Sequence, residues 1–138
     1  MSNLFDRTTE AVGKSLDMRL MRHNVTSANI ANAETPGYIA KKVDFENELT
    51  RALQLEGVPT ATNSANPSET PTIEGMIKKV QADVYDNPEV AYNNDKNTVD
   101  LEKEMSTLTE NSIIYKAALE LMKKKMASMK YAISEGGK

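Results

Sequence analysis

The sequence predicts a mainly α-helical protein in which a long N-terminal and a long C-terminal helix pair as a coiled coil. Apolar residues near the C-terminal end recur at alternating spacings of four and three, the a/d repeat of a coiled coil. A weaker repeat of the same period runs through the N-terminal region. Aromatic residues are only 5% of the 138 residues and Trp is absent, so a large compact core is not expected. The predicted seam comprises Leu4, Ala11, Met18 and Val25 near the N-terminus, and Leu101, Met105, Leu108, Ser112, Tyr115, Leu119, Met122, Met126, Met129 and Ile133 near the C-terminus.

Five segments of a single domain are predicted along the chain. Residues 1–33 form the first helix, and residues 34–55 form a turn, an extended segment and a short helix. Residues 56–78 contain three Pro among Thr, Ser and Asn without a packing period, which indicates a flexible insertion. Residues 79–96 are a short strand and a connection, because 79–85 alternate polar and apolar side chains. The strand is expected to pair with the extended piece at 38–45, making a small β element beside the helices.

The predicted C-terminal helix covers residues 97–135. Asn97 or Thr98 can act as its N-cap, and Gly136-Gly137 is expected to stop it. Acidic residues fall in its first turns and Lys residues towards its end, as the helix dipole favours. The run Lys123–Lys125 is interpreted as a solvated face, with contact to an acidic neighbour as the alternative.

The end of the first helix is unusual in composition. Residues 23–33 are rich in small and amide side chains, which allow close backbone approach and can hydrogen-bond to unpaired backbone groups. A frayed helix end is the alternative interpretation. The dipeptide Pro36-Gly37 then predicts a type II turn, in which Gly supplies the positive φ, so the chain reverses sharply before Tyr38.

Composition and motifs argue against most other classes of function. The net charge of -3 shows no basic excess for nucleic acid, and no apolar run approaches a membrane span. There is no Cys, His23 is the single His, and no phosphate-binding loop is visible. The Met residues of the last helix suit seam packing better than a soft-metal site. We therefore predict no catalytic, cofactor-binding or metal-binding residues and no cofactor. No cleaved secretory signal is recognised at the N-terminus.

Residues 27–38, with the sequence SANIANAETPGY, closely resemble the signature of the flagellar rod and hook family, an Ala-Asn-x-Ala-Asn-x-x-Thr-Pro-Gly-Tyr pattern that residues 28–38 match. The stretches 39–46 and 97–104, the latter leading into Asn111, Ser112 and Tyr115, resemble the proximal rod proteins of B type. The C type is the alternative within the family. Both ends of the chain match well, whereas residues 56–78 match nothing recognisable.

The resemblance implies a structural subunit of the basal-body proximal rod, which polymerises helically through its terminal helices into a hollow drive shaft. It implies as partners copies of the chain, other rod subunits, a rod-to-ring adaptor and the flagellar type III export apparatus, without nucleic acid or a small-molecule substrate. Export would need no cleaved signal and would place the rod in the periplasm. The matched signature assigns assembly positions to Asn29, Ala31, Asn32, Thr35, Pro36, Gly37 and Tyr38.

A soluble coiled-coil adaptor or export chaperone is the alternative from a different class. It would use the same seam as a stable cytoplasmic dimer of fixed size, whereas a rod subunit would be partly disordered as a monomer and prone to polymerise. No residues support an enzyme.

Overall fold

A computed structural model describes residues 7–54, 73–88 and 95–135. The described part is mainly helical and includes one antiparallel strand pair, which confirms the predicted fold class. Its elements are α1 (Arg7–Ala31), β1 (Lys41–Asp44), α2 (Glu46–Gln54), α3 (Ile73–Lys79), β2 (Asp83–Asp86) and α4 (Leu101–Glu135).

Helices α1 and α4 lie side by side and run antiparallel. Near the middle, the Asn111 side chain donates to the Arg19 carbonyl at 2.8 Å. Closer to the start of α1, a Cβ atom placed on Gly13 would lie 3.8 Å from Cε of Met122. Positions that advance along α1 therefore meet positions that retreat along α4. This pairing brings the end of α1 close to the beginning of α4.

The strand pair forms where it was predicted, with a shorter second strand. Lys41 of β1 lies opposite Asp86 of β2, and Asp44 lies opposite Asp83. The alternation predicted a strand over residues 80–85, but β2 begins only at Asp83, and Lys79 is the last residue of α3. The strand pair lies against α1 and places β1 beside its C-terminal half.

A small core forms where α1, α2 and α3 meet. Ile77 and Val80 are buried together with Ala11 and Ala52, and partly buried Leu49, Leu53 and Met76 pack against them. Helix α3 overlaps the end of the predicted insertion 56–78, and residues 55–72 lie outside the described part. The helix escaped sequence analysis because it has only seven residues, one of them Gly75, and two turns are too short to establish a period.

Asp100 immediately precedes α4 and is its N-cap. Its Oδ1 accepts a hydrogen bond from the Lys103 backbone N–H at 3.1 Å, which is N-cap geometry. The prediction that Asn97 or Thr98 begins the helix is therefore wrong by about one turn. Both side chains are buried, each 3% exposed, and bind elsewhere. The predicted stop at Gly136-Gly137 lies outside the described residues.

We expect Ile77→Ala to destabilise the fold by about 2–5 kcal/mol, because Ile77 is 1% exposed and its truncation leaves a cavity. Thermal unfolding of the monomer at low concentration measures this. Ile113→Ala is the matched control, because Ile113 is 64% exposed and should change stability by less than about 0.5 kcal/mol. Equal effects of the two substitutions would contradict the core assignment.

Candidate assembly site

The chain turns sharply after the end of α1. The Asn32 backbone N–H closes the last turn on the carbonyls of Ala28 and Asn29, and the Tyr38 N–H donates to the Thr35 carbonyl at 3.3 Å. Gly37 has φ 72°, as position i+2 of a type II turn requires. These features confirm the predicted turn. A Cβ atom placed on Gly37 would have no other atom within 4 Å, so the requirement for Gly is one of backbone conformation rather than space.

Asn29 binds the backbone of β1 from within α1. Its Nδ2 donates to the Lys41 carbonyl at 2.7 Å, and its Oδ1 accepts from the Lys41 N–H at 3.0 Å. The Tyr38 hydroxyl also donates to this Oδ1, at 3.2 Å. The amide therefore pairs with both polar groups of one strand residue, as a neighbouring strand would. This contact explains an Asn at a completely buried helix position, despite its low helix propensity.

Asn97 binds the segment that follows α1, although it lies 65 residues from Asn32 in the sequence. Its Nδ2 lies 2.9 Å from the Asn32 carbonyl, 3.0 Å from that of Ala33 and 2.8 Å from that of Thr35. Its Oδ1 accepts from the Val99 N–H at 2.7 Å, which fixes the side chain. These three carbonyls belong to residues that follow Ala31, the last residue of α1, so Asn97 supplies a donor to the turn rather than to the helix itself.

Thr98 and Asp95 form hydrogen bonds with the turn and with the chain that follows it. The Thr98 N–H donates to the Tyr38 carbonyl at 3.1 Å, and the Thr98 hydroxyl accepts from the Ala40 N–H at 2.8 Å. The Asp95 carbonyl accepts from the Gly37 N–H at 2.9 Å. The segment 95–99 therefore acts as a strap that holds 35–40 against the start of α4. We define this arrangement, with Asn29, as the turn-and-strap site.

Arg22 makes a second link between α1 and β1, which sequence analysis missed. Its Nη2 donates to the Val43 carbonyl at 2.7 Å, and its guanidinium meets both carboxylate oxygens of Glu46 at 2.5 and 2.7 Å. The guanidinium carbon lies 4.8 Å from the centroid of the buried Phe45 ring. The signal available in the sequence is spacing, because Arg22 lies seven residues before Asn29 and therefore on the same side of the helix.

Burial and hydrogen bonding shift the pKa values of two carboxyl groups. For Glu46, burial opposes ionisation, but hydrogen bonds from Arg22 and from backbone N–H groups outweigh it, so the pKa lies below its usual value. For Glu104 of α4, burial raises the pKa, and a hydrogen bond from Asn29 offsets only part of the rise. Burial, followed by the nearby Glu104, also raises the pKa of Tyr38. Glu104 therefore lies beside the buried centre of the turn-and-strap site.

The predicted assembly positions divide into an exposed group and a supporting group. Ala31, Thr35, Pro36 and Gly37 are exposed, Asn32 and Tyr38 are half-buried, and Asn29 is 0% exposed. Asn29 therefore supports the turn within the subunit, while the exposed group forms a surface that a neighbour can reach. An assembly role for these positions stays a prediction.

The predicted seam is only partly covered by α1. Leu101, Met105, Met126 and Ile133 are 46, 56, 51 and 63% exposed. Ala11 and Met18 are buried, and Leu4 lies outside the described residues. The remaining positions are half-buried: Val25, Leu108, Ser112, Tyr115, Leu119, Met122 and Met129. Helix α4 contacts α1 along a line that includes Asn111. This line is offset from the apolar repeat, so α1 covers only part of the seam and one flank of it stays exposed.

A polar groove of about 350 Å³ lies between α1, β1 and α4. Its walls carry charges of both signs, including Arg22, Lys41, Glu46 and Glu104. Among the described residues, no group of three His, Cys, Asp or Glu side chains is placed to hold a metal ion. Within the same ranges, no helix combines the length and apolar character that a membrane crossing requires.

A long helix pair with an open apolar flank and a rigid exposed turn defines a structural protein that completes its packing with neighbouring molecules. Comparison with known proteins agrees with this class. Residues 19–38 match the family model described as flagella basal body rod protein, and this range contains Arg22, Asn29 and the turn.

The similarity to curated proteins extends over almost the whole chain. The flagellar basal body rod protein FlgB of Bacillus subtilis strain 168 is 32% identical over 135 residues, covering 97% of this chain and 98% of that protein. FlgB of Aeromonas hydrophila is 34% identical, with 96% and 97% covered. FlgB of Escherichia coli K12 is 30% identical, with 89% and 90% covered. The chain belongs to the FlgB family of flagellar basal body rod proteins, so it is a structural rod subunit of the bacterial flagellum.

We expect Gly37→Val to impair rod formation while leaving helix content nearly unchanged. A β-branched residue at φ 72° is strained by about 1–3 kcal/mol, and the strain falls on the exposed turn. Swimming motility of cells that carry only the variant measures assembly, and far-ultraviolet circular dichroism measures helix content. Gly37→Asn is the control, because Asn tolerates positive φ. Normal motility with Val would show that this turn conformation is not needed.

We expect Glu46→Gln to lower stability by about 0.5–1 kcal/mol at neutral pH, a modest loss because the Glu46 side chain is 47% exposed. Its pKa is lowered in the fold, so its contribution exists above the unfolded pKa and is lost as pH falls through the folded pKa. Denaturant unfolding of both proteins between pH 7 and pH 3 should therefore converge at the acid end.

Glu48→Gln is the matched control for Glu46→Gln, because Glu48 pairs with Arg51 where both side chains are more than half exposed. Such a pair contributes about 0–0.5 kcal/mol. A pH-independent difference between wild type and Glu46→Gln would contradict the assigned role of the Arg22 pair.

Proposed function

We propose that this rod subunit is non-enzymatic and polymerises helically through its terminal helices, forming part of the hollow proximal drive shaft. The observation that carries the proposal is the open flank of the seam. Leu101, Met105 and Met126 are about half exposed in the single chain, although they continue the same apolar repeat as the covered positions. Covering such side chains contributes about 25 cal/mol per Å² removed from water.

Contacts through this flank would be heterologous, because the open side of α4 and the exposed turn are different surfaces. Heterologous contacts that do not close into a ring generate helical assemblies. The turn-and-strap site supports this role, since Asn29 and Asn97 hold an otherwise unsupported turn rigidly at one end of the helix pair. A preorganised surface loses less conformational entropy when a neighbour binds.

The partners we propose are copies of the chain, other rod subunits, a rod-to-ring adaptor and the flagellar type III export apparatus, with neither nucleic acid nor a small-molecule substrate. The location is the periplasmic part of the rod, reached without a cleaved signal peptide. Membership of the rod family supports association with rod components, and the net charge of -3 is unlike that of a nucleic-acid-binding domain.

Circular dichroism and sedimentation across a concentration series test the proposal. We expect both ends of the chain to be poorly ordered in the monomer, so that helicity starts low there and rises as large assemblies form, because ordering unpartnered helices costs entropy. In Leu119→Asp, a charge would enter the half-buried side of α4, so helix pairing and assembly should both be lost. Leu121→Asp should keep the helix content of the wild type, because Leu121 is 63% exposed.

The results of these experiments distinguish a rod subunit from a soluble adaptor or export chaperone. A fully helical dimer of fixed size at every concentration would contradict polymerisation and favour the adaptor. Unchanged assembly of Leu119→Asp would show that this side of α4 does not pair.

A further inference from the structure

The two edges of the strand pair differ in how their backbone groups are satisfied. In an antiparallel pair, residues whose N–H and C=O groups point to the partner strand alternate with residues whose groups point away from it. The Asn87 N–H donates to the Ala40 carbonyl at 2.8 Å, and the register continues without a bulge to Asp44 opposite Asp83. In β2, the backbone groups of Asp83 and Tyr85 therefore point to β1.

Side chains of α1 bind the outward-pointing backbone groups of β1. Asn29 bonds to both the N–H and the carbonyl of Lys41, and Arg22 donates to the Val43 carbonyl. These bonds agree with the alternation, because Lys41 and Val43 are the β1 residues whose groups it turns away from β2. The outer edge of β1 is therefore closed by α1.

The outer edge of β2 is open in the part of the chain that the structure describes. The outward-pointing groups belong to Val84 and Asp86, and no described residue bonds to them. Val84 is 42% exposed, whereas Val43 opposite it is only 3% exposed. Unpaired N–H and C=O groups along an edge strand are a template for pairing with another strand.

Charge narrows the kind of strand that this edge can bind. Asp83 and Asp86 are exposed at the two ends of β2, and neither carboxylate forms an ion pair with any other described residue. Opposite charges across a strand pair are stabilising, and like charges are destabilising. Since residues three apart point to opposite faces of a strand, each face of the edge favours a basic side chain on the added strand.

We propose that β2 binds an extended, basic segment of a neighbouring rod subunit, which joins the sheet as a third strand. Its backbone exchanges hydrogen bonds with Val84 and Asp86, an apolar side chain covers Val84, and Lys or Arg pairs with Asp83 and Asp86. Backbone hydrogen bonds give such a contact its affinity, and side chains give it specificity. The proposal rests on the proposed assembly function and assigns one of its contacts.

Hydrogen exchange of single backbone amides tests the contact on the wild type. In the monomer, the open N–H groups of Val84 and Asp86 should exchange faster than those of Asp83 and Tyr85, which point to β1. In purified basal bodies, exchange at Val84 and Asp86 should slow by about tenfold or more, because both groups acquire acceptors. Asp83 and Tyr85 are the internal controls, since their acceptors are present in both states.

Val84→Pro removes an outward-pointing N–H and leaves the bonds to β1 in place. Proline is tolerated on an edge strand when the missing N–H would face solvent, so the monomer should keep the thermal unfolding midpoint of the wild type. The number of completed rods per cell should fall about tenfold or more, with loss of swimming, because the added strand loses an N–H donor and meets the proline ring.

Two further variants serve as controls for Val84→Pro. Val84→Thr keeps both the N–H and the β-branched shape, so its cells should swim as the wild type does. Tyr85→Pro removes an N–H that points to β1, so it should destabilise the monomer itself.

Asp86→Lys tests the charge of the edge. A basic residue there repels the proposed basic strand, so swimming should be reduced while the monomer stays folded. Glu48→Lys is the matched control, because it changes the net charge by the same amount at an exposed position of α2, and its cells should swim normally.

Two results would overturn the contact. One is equal exchange of Val84 and Asp86 in basal bodies and in the monomer, and the other is a wild-type number of rods with Val84→Pro. If the wild-type chain still restores swimming to cells that lack it, the rod function stands without this contact. Failure of the wild-type chain to restore swimming would instead contradict the proposed function. Should Val84→Pro unfold the monomer, the exchange measurement on the wild type decides.

Discussion

The structure depends on how the polar backbone is satisfied where α1 ends. The chain reverses immediately after α1, and the backbone carbonyls of this turn need hydrogen-bond donors. Asn97 donates to the carbonyls of Asn32 and Thr35 from the far end of the sequence, while Asn29 binds both backbone groups of Lys41. Two amides therefore join α1, the turn, β1 and the segment 95–99.

This constraint explains why the smaller elements lie where they do. Once Asn29 fixes Lys41, β1 must run along α1, and Arg22, one heptad earlier on the same side, donates to the Val43 carbonyl. Phe45 then becomes buried beneath the guanidinium, and β2 pairs with the free edge of β1. Asn29 binds Lys41 and the earlier Arg22 binds the later Val43, so the spacing of these two residues in α1 specifies the position and direction of β1.

Features with a long period or a stereochemical requirement could be predicted from the sequence. The two long helices repeat their pattern over many turns, and the turn at Gly37 follows from the φ that Pro and Gly favour. Helix α3 could not be predicted, because seven residues contain no repeat. The roles of Asn97 and Arg22 also escaped prediction, since an amide that binds carbonyls 65 residues away has the same local sequence as an N-cap. Asp100 is the N-cap of α4 instead, because it immediately precedes the helix.

The division between polar and apolar contacts determines what this subunit can offer to a neighbour. The hydrogen-bonding groups are largely paired within the subunit. Asn29 and Asn111, for example, are both buried, and their side chains hydrogen-bond to backbone groups. The exposed surface of α4 includes large apolar side chains such as Leu121 and Tyr131, and the turn at Gly37 is exposed beside it. Apolar contacts are non-directional and tolerate small differences in packing, so they suit contacts that differ slightly between positions in a helical assembly. In the proposed assembly, the turn-and-strap site would supply the geometry of these contacts, because its polar groups are paired within one subunit.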